Sequence, residues 1–176
     1  MTLANECDQL QTIELFHGLD PSKCKLVAMS SDRLHYAAGD VICRQGDASD
    51  AVYFVLSGAV HIVKENEDRS VLLNTMRGGN VLGETGVIRG RGRTATIVAA
   101  EETVILKTDG RVFLELLETM PQMGLALART LATRLNAAGR RVLDATSDQG
   151  VNASDRSRPS GHGAEPAQST GRNAHV

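Results

Sequence analysis

Short apolar, β-branched runs separated by turn pairs fill the chain between residues 34 and 107, and they constrain its fold more than any other feature. Pairs such as Gly39-Asp40, Gly46-Asp47 and Ser57-Gly58 interrupt the runs where a strand would reverse. We predict eight strands, near residues 34–37, 40–44, 51–56, 59–64, 69–76, 80–82, 94–100 and 103–107. Turns at this spacing indicate an antiparallel sandwich or barrel. The chain is therefore expected to be mainly β.

Helical patterns flank this β region. Two short ones lie within residues 12–31, and Asp20 and Pro21 there suit the N-cap and the first position of a helix. After the strands, residues 111–118 predict a short helix, and Pro121 begins a pattern about 24 residues long. Its apolar positions form one stripe: Met123, Leu127, Leu131, Leu135, Ala138 and Val142. Either a homodimer seam through residues 121–143 or packing on the chain's own barrel would explain the stripe.

The two ends of the chain differ in composition from its middle. Residues 1–11 are expected to form a loose leader or a frayed helical start. Residues 146–176 contain no Leu, Ile, Phe, Tyr or Met. Such a segment buries too little apolar area to offset the entropy of ordering it, so we predict a disordered tail. The predicted domain is therefore 12–145.

Charge and composition exclude several classes of function. A formal net charge of -2 over 176 residues gives no basic footprint for nucleic acid, so direct DNA binding is not expected. No apolar run reaches the roughly 18–20 residues of a membrane span, and the acidic N-terminus lacks a signal peptide's apolar stretch. We therefore expect no membrane partner and a cytoplasmic location. The three cysteines and five histidines show no metal-ligand spacing, and no catalytic constellation is present, so neither a metal nor enzymatic activity is predicted.

One segment combines an acid, an arginine and a small-residue loop between two apolar runs. Gly83-Glu84 is followed, nine residues after the glutamate, by Arg93 and the strand that it precedes. A carboxylate accepts hydrogen bonds from a hydroxyl, whereas a guanidinium grips phosphate in two places. Backbone N–H groups of a glycine-rich turn can approach an anion closely. The segment therefore suits a ligand with a sugar hydroxyl and a phosphate. The alternative is a helix-capping carboxylate and a surface arginine in a basic loop.

This segment resembles the phosphate-binding cassette of cyclic nucleotide-binding domains, as in bacterial catabolite activators, protein kinase A regulatory subunits and nucleotide-gated channels. Three further blocks, residues 15–19, 36–47 and 52–58, are similar to the family's opening helix and first strands. The resemblance runs from about Leu15 to about Leu143. It implies a β jelly roll with N-terminal helices and a long C-terminal helix, and a regulatory ligand, cAMP or cGMP.

The resemblance also implies a role for each residue of the cassette. Arg93 would bind the cyclic phosphate, and Glu84 would accept from the ribose 2′-hydroxyl. Backbone N–H donors for the phosphate would come from Gly83, Thr85 and Gly86. Thr94 would lie beside the phosphate, where its hydroxyl also meets the amino group of a guanine held in syn. The resemblance therefore does not distinguish cGMP from cAMP.

Three residues before the cassette would pack the base: Leu73, Asn74 and Met76. Core packing is the competing explanation for Leu73 and Met76, whereas a buried Asn74 would need a polar partner. Within the cassette, Ala95 would be small because the backbone approaches the ligand. The long helix departs from the activators' pattern, because Ala138 and Gly139 stand where hydroxyl side chains hydrogen-bond the adenine. Base selectivity through that helix is therefore not expected.

The expected function is a cytoplasmic regulatory protein that signals by repositioning its C-terminal helix. The activators carry a helix-turn-helix domain after that helix, whereas the globular part here is expected to end near Asp144. An effector protein, unknown from sequence, would then be required. Two alternatives stay open: a nucleotide-independent interaction or dimerisation module, and a truncated relative of a transcription regulator.

Overall fold

Eight β-strands form two four-stranded antiparallel sheets in the computed structural model, which describes residues 3–67 and 69–154 and the side chains of residues 7–67 and 69–143. The strands are β1 (Ser31–Tyr36), β2 (Val41–Cys43), β3 (Ala51–Ser57), β4 (Ala59–Asn66), β5 (Arg69–Arg77), β6 (Val81–Leu82), β7 (Thr96–Ala99) and β8 (Thr103–Asp109). One sheet has the order β1-β8-β3-β6 and the other β2-β7-β4-β5. The eight predicted strands and the predicted jelly-roll class are thereby confirmed.

Strand β3 explains where the core lies. Its side chains alternate between the two faces of the sheet, and both faces are covered. Val52, Phe54 and Leu56 face a cluster shared with the helices, whereas Tyr53 and Val55 face the interior between the sheets. Burial on both faces accounts for the unbroken apolar run in the sequence.

Five helices accompany the sheets in the described part of the chain: α1 (Leu3–Gln11), α2 (Pro21–Met29), α3 (Glu84–Arg89), α4 (Gly110–Thr119) and α5 (Pro121–Ser154). A single 3₁₀ turn, Glu14–Phe16, follows α1. Asp20 caps α2 as predicted, with its Oδ1 accepting from the Ser22 N–H at 2.8 Å. Helix α1 lies in the segment expected to be a leader or a frayed helical start, yet Cys7 and Leu10 are buried in the helix-side cluster. The sequence of α1 contains few apolar residues and so gave little indication that this helix packs on the core.

The chain divides into two compact units, residues 1–134 and residues 135–176. In the first unit, Met123 and Leu127 of α5 are buried. In the second, the described residues continue the helix to Ser154, into the range predicted as a disordered tail. Once begun, a helix is extended by local hydrogen bonds, which need no apolar core. The remaining tail, residues 155–176, lies outside the described residues. Across the part of the chain that the structure describes, no helix combines the length and apolarity that spanning a bilayer requires.

Candidate functional site

The turn between β6 and α3 forms the base of the candidate site. Gly83 has a φ of +79°, which only glycine adopts readily, and it precedes the first residue of the six-residue helix α3. A Cβ added at this position would collide with Nη1 of Arg93. The residue must therefore be glycine for two reasons, its backbone angle and the closeness of the guanidinium.

A cavity of about 140 Å³ opens beside this turn. Its lining includes most of the predicted site residues: Met76, Gly83, Glu84, Thr85, Gly86, Arg93, Thr94 and Ala95. Ile62, Leu82, Ile97 and Arg134 complete it. Glu84 and Arg93 thus border one concave space, although they lie nine positions apart in the sequence.

Arg93 is held in place from several directions and is only 5% exposed. Its Nη2 donates to the Ala51 carbonyl at 2.8 Å and lies 3.3 Å from the Tyr53 hydroxyl, and its Nη1 donates to the Gly83 carbonyl at 3.2 Å. The guanidinium carbon also sits 4.9 Å from the centre of the Tyr53 ring, a cation–π distance. These contacts fix the direction of the side chain.

The positive charge of Arg93 is poorly compensated. The carboxylate of Asp50 lies 3.7 Å from Nη2 of Arg93. The Asp50 side chain is 72% exposed, so solvent screens this ion pair. Burial raises the pKa of the Tyr53 hydroxyl against the opposing effect of Arg93, and it raises the pKa of the Cys43 thiol in the same way. Both groups therefore stay neutral at physiological pH. The buried Nε of Arg93 has no hydrogen-bond partner among the described residues. An anion in the cavity would compensate the charge of Arg93.

Glu84 is 4% exposed and is paired with an arginine that the sequence did not single out. Nη1 of Arg134, on α5, donates to Oε1 of Glu84 at 3.1 Å, and the Thr85 hydroxyl lies 3.2 Å from the same oxygen. Nη2 of Arg134 donates to the Val81 carbonyl at 2.8 Å. The only signal in the sequence was the position of Arg134 off the apolar stripe of its helix.

The cavity lining also includes apolar side chains, those of Ile62, Leu82 and Ile97 together with the half-buried Met76. Leu73 and Asn74 do not line the cavity. Leu73 is 48% exposed, so the core packing considered for it does not occur, and Asn74 is half-buried. The register between β4 and β5 shifts here, and Leu73 is the extra residue of β5. An extra residue changes which side chains face inward, and the run of apolar residues gave no sign of it.

The described residues contain no group of three or more His, Cys, Asp or Glu side chains arranged to hold a metal ion. This arrangement is suited to binding a ligand. The guanidinium and backbone N–H groups can bind an anion, and the carboxylate can accept hydrogen bonds from hydroxyl groups.

Comparison with known proteins places the chain in one family. The model of the cyclic nucleotide-binding domain matches residues 33–120, half of the chain. The cyclic AMP receptor protein of Thermus thermophilus is 33% identical over 127 residues, which are 70% of this chain and 58% of that protein. This chain thus spans less than two thirds of that relative.

Solved structures agree with this assignment. The catabolite activator protein of Thermus thermophilus matches with a TM-score of 0.66 at 32% identity, over 76% of this chain and 63% of that one. A mutant of a cAMP-binding acyltransferase from Mycobacterium smegmatis matches with a TM-score of 0.67 at 29% identity, over 77% of this chain and 42% of that one. Residues 33–120, which match the family model, include strands β2 to β8 and both Glu84 and Arg93. The chain therefore belongs to the cyclic nucleotide-binding domain family.

Proposed function

We propose that this domain regulates another protein by binding cAMP or cGMP in the cavity between Glu84 and Arg93. The observation that carries the proposal is the burial of both side chains on one cavity, with the Nε of Arg93 left without a partner among the described residues. A buried arginine with an unused donor is costly unless an anion completes it.

In this proposal the cyclic phosphate lies against Arg93 and the first backbone N–H groups of α3. Those N–H groups have no acceptor inside the helix, because the first bond of the helix runs from the Val87 N–H to the Gly83 carbonyl. The ribose 2′-hydroxyl donates to Glu84, and the base packs on the apolar wall formed by Ile62 and Ile97. Thr94, which also lines the cavity, is available to either purine.

Repositioning of α5 is proposed as the response to the ligand. The cavity of about 140 Å³ is smaller than the roughly 300–1,000 Å³ of typical ligand sites. Arg134 occupies one wall and already bonds Glu84, so a ribose that reaches the carboxylate must share it with Arg134 or displace it. Since Arg134 belongs to α5, the nucleotide would favour a different position of that helix. The difference in the nucleotide's binding free energy between the two positions of α5 sets how far the equilibrium between them shifts.

The output is proposed to pass through an effector protein in the cytoplasm, without catalysis by this domain. The relatives named above include a receptor protein and an acyltransferase, so similar domains occur with different outputs. A homodimer through residues 121–143 would be one route from ligand to effector. We propose neither direct DNA binding nor membrane attachment for this domain.

A second candidate function is a nucleotide-independent interaction module. One observation favours it: Glu84 is already paired with Arg134, and Arg93 already donates to two carbonyls, so the site is held together by the protein itself. A truncated relative of a transcription regulator is the remaining alternative. A mobility-shift assay at low salt tests it, because such a regulator would retard duplex DNA.

Calorimetric titration of the purified protein with cAMP and cGMP tests the main proposal. We expect a dissociation constant near the micromolar range, about -8 kcal/mol, for at least one nucleotide. Arg93→Ala should weaken binding by at least tenfold, since a charge-assisted contact contributes about 1.5–3 kcal/mol. Arg91→Ala is the matched control, because Arg91 is an exposed arginine of the same loop.

Both variants should keep the circular dichroism spectrum of a folded protein, although Arg93→Ala should lower the urea midpoint because it removes buried hydrogen bonds. Absence of heat and of any melting shift at millimolar cAMP and cGMP would instead support the nucleotide-independent module. Equal loss of affinity in the Arg91 and Arg93 variants would contradict the role given to Arg93.

A further inference from the structure

A lysine of β4, outside the cassette, contacts one of the residues that line the cavity. Nζ of Lys64 donates to the backbone carbonyl of Thr94 at 2.8 Å. Thr94 lines the cavity and directly follows Arg93. The ammonium therefore anchors the peptide unit between Thr94 and Ala95.

The pairing of β4 with β7 places the Lys64 side chain on the cavity side of the sheet. Ile62 lines the cavity and pairs with Ile97, and Val63 pairs with Thr96. Side chains two positions apart on a strand share a face, so Lys64 points to the same side as Ile62.

The nearest acid in the sequence does not compensate this charge on the cavity side. Glu65 follows Lys64 and so projects from the opposite face of β4. Its Oε1 accepts from the Thr96 hydroxyl at 2.7 Å, and Thr96 pairs with Val63 on that opposite face. The Lys64 ammonium therefore adds positive potential at the rim, beyond that of Arg93.

We propose that Lys64 is a further affinity-determining residue of this cavity: it positions Thr94 next to Arg93 and attracts the anionic group of the ligand. The inference rests on the proposed function, because it presumes an anionic ligand. Lysine acts here as a point charge rather than as a planar fork, so its effect depends on charge and distance more than on exact geometry.

Stopped-flow and calorimetric binding of whichever cyclic nucleotide the wild type binds tests this role. Lys64→Gln should weaken affinity about three- to tenfold at low ionic strength, mainly by slowing association, and the loss should shrink as salt rises to about 0.5 M. Lys64→Arg keeps the charge and should stay within about twofold of the wild type. Lys25→Gln is the control, since it removes the same charge from an exposed position on α2.

The outcomes separate the two proposals. If the wild type binds neither cAMP nor cGMP, the proposed function fails and the inference falls with it. If the wild type binds and Lys64→Gln matches Lys25→Gln, only the role of Lys64 is overturned. A loss in Lys64→Gln that is independent of salt, with no recovery in Lys64→Arg, would also overturn it, because that pattern indicates packing rather than charge.

Discussion

At the scale of single residues, the position of Arg93 depends on the shape of the turn at Gly83. The guanidinium lies where a side chain of residue 83 would begin, and its Nη1 bonds the carbonyl of the same glycine. The backbone conformation and the binding side chain are thus coupled at one residue. A change at Gly83 should affect stability and ligand affinity together.

Gly83→Ala tests this coupling, with Gly90→Ala as its control. Both glycines have positive φ, but a Cβ at Gly90 would meet nothing within 4 Å. Gly90→Ala should therefore lose only the backbone term, about 1 kcal/mol in urea unfolding, and leave nucleotide affinity unchanged. Gly83→Ala should lose about 1–3 kcal/mol and weaken binding at least tenfold, because Arg93 must move. Equal effects of the two changes on affinity would contradict the coupling.

Residue separation decided which members of the site could be predicted from sequence. Glu84 and Arg93 lie in one short segment, so their combined binding chemistry can be predicted from local sequence. Arg134 is 50 positions from Glu84, and it bonds the carboxylate only because the fold brings this part of α5 beside the cavity. Lys64 likewise meets the Thr94 carbonyl, 30 positions away, only in the folded chain. Neither contact has a local signature, so only tertiary structure reveals it.

At the scale of elements, the strands and turns could be predicted from local sequence patterns, whereas the bulge in β5 could not. The alternation in β3 and the cap at Asp20 each express a periodicity or a turn preference within a few residues. The bulge at Leu73 depends on the pairing of β5 with β4, which no single strand encodes. The exposure of Leu73, which neither base packing nor core packing anticipates, therefore follows from the register of β5.

The cap of α2 gives a pH-dependent prediction. Hydrogen bonds from the Ser22 side chain and backbone N–H lower the pKa of Asp20 from its ordinary value of 3.8. A lowered pKa in the folded state means that ionised Asp20 stabilises the fold above that ordinary value. The contribution is lost as pH falls through the lowered, folded-state pKa.

Asp20→Asn removes the ionisation but keeps a good capping residue. We expect the variant to be less stable than the wild type near neutral pH, and the difference to shrink as pH falls below 3.8 and through the lowered pKa of Asp20. Thermal unfolding of both proteins over this pH range measures the effect. A difference that stays constant down to the lowest pH would show that Asp20 acts without its charge.

At the scale of the whole molecule, α5 begins in the first unit and extends through the described part of the second. Its apolar positions differ along its length: Met123 and Leu127 are buried, whereas Leu135 is 73% exposed. Packing against a core stabilises the beginning of the helix, while the later turns depend on helix propensity. The two parts should therefore respond differently to the same kind of substitution.

Two glycines of α5 allow this to be measured. A Cβ at Gly124 would come no closer than 3.9 Å to the Leu117 carbonyl, and a Cβ at Gly139 would meet nothing within 4 Å, so alanine fits at both. Glycine costs a helix about 0.5–1 kcal/mol relative to alanine. Gly124→Ala should raise the free energy of global unfolding in urea by about that amount, because residue 124 unfolds with the core.

Gly139→Ala should instead increase helicity at 222 nm and slow amide hydrogen exchange in residues 135–154, with the global unfolding free energy unchanged. The turns around residue 139 open locally, so stabilising them adds nothing to the cooperative transition of the first unit. If Gly139→Ala raised the global value as much as Gly124→Ala, the two units would unfold as one. The response of α5 to a ligand would then have to be transmitted along a continuous, cooperatively folded helix.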